Sequence, residues 1–353
     1  MKLLSICIPT YNRAEFLPAT LESIAEQWGD DLEVTVADNG STDGTQELVE
    51  AFQRKHEAVR YFRWPSNQGA DRNYLKAVEL ATGRYCWILG SDDPIAKGAV
   101  GDLREILRRA EPGIILFNRL LCTKELAPIK EDRFLEVDGR RERTFDFRQP
   151  GELERYLWDA RSICATFSYL SSMVFEKKEW DAVPTDEKFV GSVYVHVQKL
   201  LGICRRGALL LYLNRPLVQC RLGNDAFRDL GLAKRVLLDL HGYDLLAERC
   251  FDGDAGSARA LRSVVLWEYP FGRLLRYQGV LGKDPKWPEI LQLLREKYHY
   301  PSFTMALALF LGRSRALVNL SFWFRDRLQR WNAAQRIGNW TLHLFKRRRA
   351  AHP

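Results

Sequence analysis

The chain has little of what would make it a secreted scaffold, a zinc protein or a membrane span. Its seven cysteines (Cys7, Cys86, Cys122, Cys164, Cys204, Cys220 and Cys250) are scattered, odd in number and without a CxxC pair. That argues against a disulfide framework or a cysteine zinc site and suits a reducing cytoplasm. No basic segment, apolar core and cleavage site precede the first strand pattern at Leu3–Ile8, so no signal peptide is expected. Internal repeats and low-complexity segments are missing too. Acidic residues are scarce in one place, the C-terminus. Residues 301–353 hold ten Lys and Arg against Asp326 alone, while the other 300 residues carry 43 basic and 44 acidic side chains. The formal net charge of +8 is therefore a property of the tail. This disfavours a nucleic-acid groove through the main body and points to an acidic surface met by the C-terminus.

What is present is a regular alternation. Leu4–Ile8, Leu32–Ala37, Val59–Trp64, Tyr85–Leu89 and Ile114–Phe117 are short and rich in β-branched or aromatic residues, as strands are. Helical patterns lie between them at about 13–27, 43–56, 69–81 and 95–110. Phe16, Leu17, Thr20, Leu21 and Ile24 recur at the spacing of one buried helix face. Such alternation predicts an α/β fold, a mainly parallel sheet with helices on both faces. Residues 119–155 are charge-dense and read as an excursion or flexible loop. Strand signals return at Ser168–Phe175 and Ala208–Leu213, and from about residue 226 the pattern is helical.

In a parallel sheet, ligands sit beyond the carboxyl ends of the strands. Four early strands deliver polar, small or acidic residues there: Pro9-Thr10-Tyr11-Asn12-Arg13, Asp38-Asn39-Gly40-Ser41-Thr42-Asp43-Gly44, Asn67-Gln68-Gly69-Ala70-Asp71-Arg72-Asn73, and Gly90-Ser91-Asp92-Asp93-Pro94. One such turn is ordinary. Four in succession, the last with paired carboxylates, make a candidate site. Adjacent carboxylates at a strand end raise one another's pKa unless a cation intervenes, and hard oxygen ligands suit Mg²⁺ or Mn²⁺. Helix capping by Asp93-Pro94 is the competing explanation.

These four segments, in this order over residues 1–118, resemble the inverting glycosyltransferases of family 2, which share the GT-A fold. The run Gly69-Ala70-Asp71-Arg72-Asn73-Tyr74-Leu75-Lys76-Ala77-Val78, with Tyr85-Cys86-Trp87 and Gly90-Ser91-Asp92-Asp93, is similar to the abequosyltransferase-like branch of O-antigen and surface-polysaccharide enzymes. The resemblance implies a catalytic domain over 1–225, with its donor-binding half at 1–118, and a helical region over 226–353. It implies that Pro9, Thr10 and Tyr11 line nucleobase and ribose, that Asp38 accepts from the base, and that Asn39 belongs to the same loop. Gly69 would admit the nucleotide, and Arg72 would meet phosphate or Asp92 unless it is a plain surface arginine. Asp92 matches the metal-binding last residue of the family's DxD signature. Gly90 stands at its first acidic position, so Asp93 would share the metal role.

An inverting transfer needs a base for the acceptor hydroxyl. The Glu-Asp pair that the family places after its later strands has no match in Thr185–His196. His196 has the right intrinsic pKa; Asp186 and Glu187 are the alternatives, and a satisfied core histidine is the competing explanation for His196. Arg221 in Arg221-Leu222-Gly223-Asn224-Asp225 suits a loop closing over the diphosphate, or an ordinary glycine turn.

The apolar run Met305–Phe324 is interrupted by Arg313 and Arg315. Two arginines cost about 5–7 kcal/mol at a bilayer centre, so a helix lying in the headgroup plane is the better expectation. Trp331, Trp340 and Lys346-Arg347-Arg348-Arg349 extend the basic tail 301–353 toward an anionic membrane; a helical pair packed on the protein is the alternative. The whole predicts an enzyme at the cytoplasmic face of the inner membrane, using a nucleoside-diphosphate sugar and a lipid-linked oligosaccharide acceptor. A nucleotidyltransferase, or a scaffold that has lost its base, are the rivals.

Overall fold

The computed structural model describes residues 2–136, 140–224 and 230–329, the last six as backbone alone. Asp225, Trp331, Trp340 and Lys346–Arg349 lie outside the described residues. The strands are β1 (Leu4–Thr10), β2 (Leu32–Asp38), β3 (Val59–Arg63), β4 (Tyr85–Ile88), β5 (Ile114–Cys122), β6 (Pro128–Asp132), β7 (Glu142–Asp146), β8 (Met173–Glu176) and β9 (Leu209–Arg221). The helices begin with α1 (Leu17–Ala25), α2 (Thr45–Gln53), α3 (Ala70–Glu79), α4 (Ala99–Ala110), α5 (Glu152–Asp159), α6 (Lys177–Asp181) and α7 (Val195–Arg205). They continue with α8 (Leu232–Cys250), α9 (Ala255–Val265), α10 (Phe271–Leu281), α11 (Trp287–Glu296), α12 (Ser302–Leu311) and α13 (Arg315–Gln329). Two compact units result: Met1–Ala226 with Gly242–Val264, and Phe227–His241 with Val265–Pro353.

The first unit holds one sheet in the order β3-β2-β1-β4-β8-β5-β9-β7, with β6 beside β5. Six of its nine strands point one way; β6, β7 and β8 run antiparallel to their neighbours. Every residue of β1 and β2 is buried, as expected of strands covered on both faces. Leu4, Ile6 and Ile8 pack in one cluster with Leu17, Leu21 and Ile24 of α1, Val49 of α2 and Leu103 and Leu107 of α4. On the other face Thr35 Oγ1 donates to the Ala77 carbonyl of α3 at 2.7 Å, and α3 lies against α7. All the parallel strands of this half thus end at one rim.

Two expectations need correction. The stretch 119–155 is not a loop: it carries β6, β7 and α5. Its charges pair laterally, Arg119 with Asp132 at 2.8 Å and Arg143 with Asp159 at 2.7 Å, so edge strands form without an apolar pattern. The segment Ser168–Phe175 becomes a 3₁₀ turn at Leu170–Ser172 before β8. In the second unit, α12 and α13 both pack on α10 and meet at a bend of 105°. No single helix among the described residues is long and apolar enough to cross a membrane.

Candidate active site

The β2 end is fixed by its own carboxylate. Asp38 is fully buried; its Oδ1 accepts from Ser41 N (2.9 Å) and Ser41 Oγ (2.5 Å), and its Oδ2 accepts from Tyr61 OH (2.8 Å). Arg63 Nε stands 3.6 Å from the same oxygen. Burial, with the Asp38 hydrogen bond and charge, raises the Tyr61 hydroxyl's pKa, so Tyr61 stays a donor. Asp38 thus holds the Gly40–Ser41 turn, an engagement that the strand-end position alone did not reveal.

Asn39 ties the third loop to the second. Its Nδ2 donates to Asn67 Oδ1 at 2.8 Å and its Oδ1 accepts from Gln68 N at 2.8 Å, while its own N–H bonds the Thr10 carbonyl at 2.9 Å. Gly69 follows with φ +86°, where a side chain is disfavoured, and a Cβ there would meet nothing within 4 Å. Open space at a loop glycine on the rim suits close approach by a ligand. Pro9 and Thr10 are buried and Thr10 Oγ1 has no hydrogen-bond partner; Tyr11 is 43% exposed.

The β4 end carries the carboxylates. Asp93 is buried and its Oδ2 accepts from Ser171 Oγ at 2.6 Å, while Ser171 Oγ itself accepts from Gly90 N at 2.8 Å. Burial first, then the charge of Asp92, push Asp93 up to about 7 against the pull of Ser171 and Arg119. A Cβ at Gly90 would lie 2.7 Å from Asp93 Oδ2, 3.1 Å from Asp92 Oδ1 and 3.1 Å from Ser171 Oγ. The missing first acidic side chain therefore has a physical reason: its place is taken by three oxygens. Such a donor set is the hard-oxygen chemistry that Mg²⁺ or Mn²⁺ selects. Among the described residues no group of three or more His, Cys, Asp or Glu is placed to hold a metal. An ion here would complete its shell with phosphate and water.

A loop distant in sequence closes on Asp92. Asn224 Nδ2 donates to Asp92 Oδ2 at 2.6 Å, Arg221 Nε donates to the Asp92 carbonyl at 3.3 Å, and Arg13 Nη2 donates to the Asn224 carbonyl at 3.3 Å. Arg221 also lies over the Phe16 ring at 5.1 Å and donates to the Lys124 carbonyl. The end of β9 thus brings a cation against the carboxylate loop. On the buried side Arg119 stacks on Tyr169 at 4.4 Å. Ser171 was not named as a site residue, and Asn224 only as part of the Arg221–Asp225 loop, because each meets an aspartate across a long stretch of chain with no local pattern to mark it.

The three base candidates part company. His196 is 2% exposed on α7, its Nε2 against the Phe167 carbonyl at 3.1 Å and its ring edge-on to Tyr74 at 5.6 Å. Burial lowers its pKa to about 3, so the near-neutral pKa that singled it out is absent from the folded chain. Asp186 accepts from Lys188 N at 3.0 Å and pairs with Arg249. Glu187 has a side chain 76% exposed, and its Oε2 stands 3.9 Å from Arg72 Nη2. Beside Arg72, the buried Asp71 accepts N–H groups of Gly191 (2.8 Å), Val193 (2.8 Å) and Val195 (3.3 Å), which anchors the start of α7 to α3. Val193 there has φ +64°, strained for a β-branched residue.

The chain is similar to known proteins in sequence and in fold. The family "Glycosyl transferase family 2" matches residues 5–177. The abequosyltransferase RfbV of Salmonella typhimurium is 38% identical over 275 residues, 76% of this chain and 81% of that protein. A Campylobacter jejuni GalNAc(5)-diNAcBac-PP-undecaprenol β-1,3-glucosyltransferase is 32% identical over 127 residues, 35% of this chain and 40% of its own length. The crystal structure of residues 1–349 of Staphylococcus aureus TarS in complex with UDP-GlcNAc superposes with a TM-score of 0.58 at 17% identity, over 88% of this chain and 89% of that one.

Proposed function

We propose, from the premise that the chain belongs to glycosyl transferase family 2, that it moves a sugar with inversion from a nucleoside-diphosphate donor to a hydroxyl of a lipid-linked oligosaccharide in surface-polysaccharide synthesis. The observation that carries this reading is that the parallel strands β1, β2 and β4 end on one rim, with Asp38 and Asn39 following β2, Gly69 bonded to Asn39, and Asp92 and Asp93 following β4. A relative named for an undecaprenol-diphosphate saccharide supports the acceptor class, and an abequosyltransferase relative supports sugar transfer. Such an acceptor places the enzyme at the cytoplasmic face of the inner membrane.

Pro9, Thr10 and Tyr11 border the nucleoside, and Gly69 lets its phosphates approach the backbone. Asp92 and Asp93 would hold Mg²⁺ or Mn²⁺, which when bound neutralises the charge that develops on the diphosphate. Arg221, held against the Asp92 carbonyl, adds positive charge on the same side, and Arg72 lies toward Glu187. The acceptor oxygen forms its bond to the anomeric carbon as the bond from that carbon to the phosphate oxygen breaks. The acceptor's proton passes to Glu187, the candidate whose carboxylate is exposed to solvent and paired loosely with Arg72. His196 serves as a packing residue of α7. A thermal-shift panel of nucleoside diphosphates tests the donor site, since a ligand of the folded state raises the melting temperature. At least one diphosphate with Mg²⁺ or Mn²⁺ should stabilise the chain; none doing so counts against the reading.

A further inference from the structure

The second unit exposes apolar side chains that its own packing does not use. On α12, Met305 and Ala308 are buried, while Phe303, Leu307 and Phe310 point outward, 81%, 38% and 69% exposed. Their i, i+4, i+7 spacing makes one stripe along the helix. On α13, Val318 is buried beside Gly279 of α10, and Leu317 and Leu320 are outward at 37% and 47%. The two helices are joined by Gly312-Arg313-Ser314, and Arg313 and Arg315 at this bend are exposed. A helix that is apolar nearly all round and still half in solvent needs a cover.

Charge says what the cover is. From Lys297 to Arg325 the chain has no acidic residue, and the tail beyond adds further Lys and Arg. A second copy laid face to face would bring Arg313 and Arg315 against their copies, with Asp326 the one carboxylate in α12 and α13 to offset them. A membrane crossing would carry Arg313 and Arg315 into the hydrocarbon at a bend of 105°. An anionic bilayer surface meets both needs, taking phenylalanine and leucine into the acyl boundary and arginine at the lipid phosphates. We infer that the outward stripe of α12 and α13, flanked by Arg313 and Arg315, is the element by which this protein docks on an anionic membrane surface. This deepens the lipid-linked acceptor reading but does not depend on transfer activity for its test.

The test is flotation of the full chain with vesicles of phosphatidylcholine alone and of equal parts phosphatidylcholine and phosphatidylglycerol. Wild type should partition into the mixed vesicles at least about a hundredfold above the neutral ones. Phe303→Ser with Phe310→Ser should weaken binding to the mixed vesicles about tenfold while leaving the melting temperature unchanged, because both rings are outward. Arg313→Gln with Arg315→Gln should weaken it about thirtyfold and leave binding to neutral vesicles as it was. Nucleotide release with a water-soluble acceptor should be the same in all of them, so a failure of the transfer reading leaves the vesicle result standing. The inference is overturned if wild type ignores mixed vesicles, or if the double serine variant floats like wild type. It is also overturned if wild type forms dimers without lipid that the serine variant dissolves, which would make the stripe a self-interface.

Discussion

Adding one methyl group at Gly90 probes the carboxylate cluster directly. Gly90 is not among the glycines with positive φ, so Gly90→Ala meets no backbone penalty and its effect is steric. The new Cβ falls 2.7 Å from Asp93 Oδ2, well inside contact distance, and 3.1 Å from both Asp92 Oδ1 and Ser171 Oγ. Asp93 is buried and held by Ser171, so it moves only by giving up that bond. Overpacking of this kind costs about 2 kcal/mol, a fall in melting temperature of about 4–8 °C for a domain of this size. A carboxylate displaced by about an ångström lowers turnover by up to about a hundredfold. The assay is a thermal melt beside donor-dependent nucleotide release. A cycle with Asp93→Ala isolates the clash: with no carboxylate to strike, the alanine at 90 should lose most of its stability cost. Equal melting and turnover of Gly90→Ala and wild type, or strict additivity in the cycle, would refute the crowding argument.

Three further outcomes follow from the same geometry. Asp93 rises from an ordinary 3.8 to about 7, so without metal the folded chain holds a proton that the unfolded chain has already lost. Its contribution to stability therefore declines as pH climbs from about 4 to about 7, and Asp93→Asn should lack that slope in melts with chelator; parallel pH curves for the two proteins would argue otherwise. His196→Ala empties a core site and should cost about 3 kcal/mol of stability while the folded fraction keeps its turnover. Glu187→Gln should lower kcat about 10²–10⁴-fold with donor affinity unchanged; the reverse pattern in these two variants would return the proton to His196.

The strands and loops of residues 1–118 were legible because their signals are local. The strands from Leu4 to Ile88 are short and rich in β-branched, aromatic or other apolar residues, and each is followed at once by its loop. Asp38, Asn39, Gly69 and Asp92 could be named from position alone. Their partners could not. Ser171 reaches Asp93 from 78 residues away and Asn224 reaches Asp92 from 132. β6 and β7 were hidden for another reason, since charged edge strands paired by Arg119–Asp132 and Arg143–Asp159 imitate a loop in composition. His196 drew its candidacy from a reference pKa that describes a solvated ring, whereas α7 buries it against Phe167 and Tyr74. Asp71 was read only as one residue of the polar segment after β3, although its carboxylate organises three N–H groups of a segment far along the chain.

The central claim is that the β4 end is a donor and metal site, and Asp92→Ala tests it most directly. Its carboxylate is half-buried and bonded to Asn224, so its loss should leave the melt of the ligand-free chain close to that of wild type. Wild-type protein should release nucleoside diphosphate from its sugar donor with Mg²⁺ or Mn²⁺, and Asp92→Ala should not. Metal-dependent release retained by a folded Asp92→Ala variant would contradict the account.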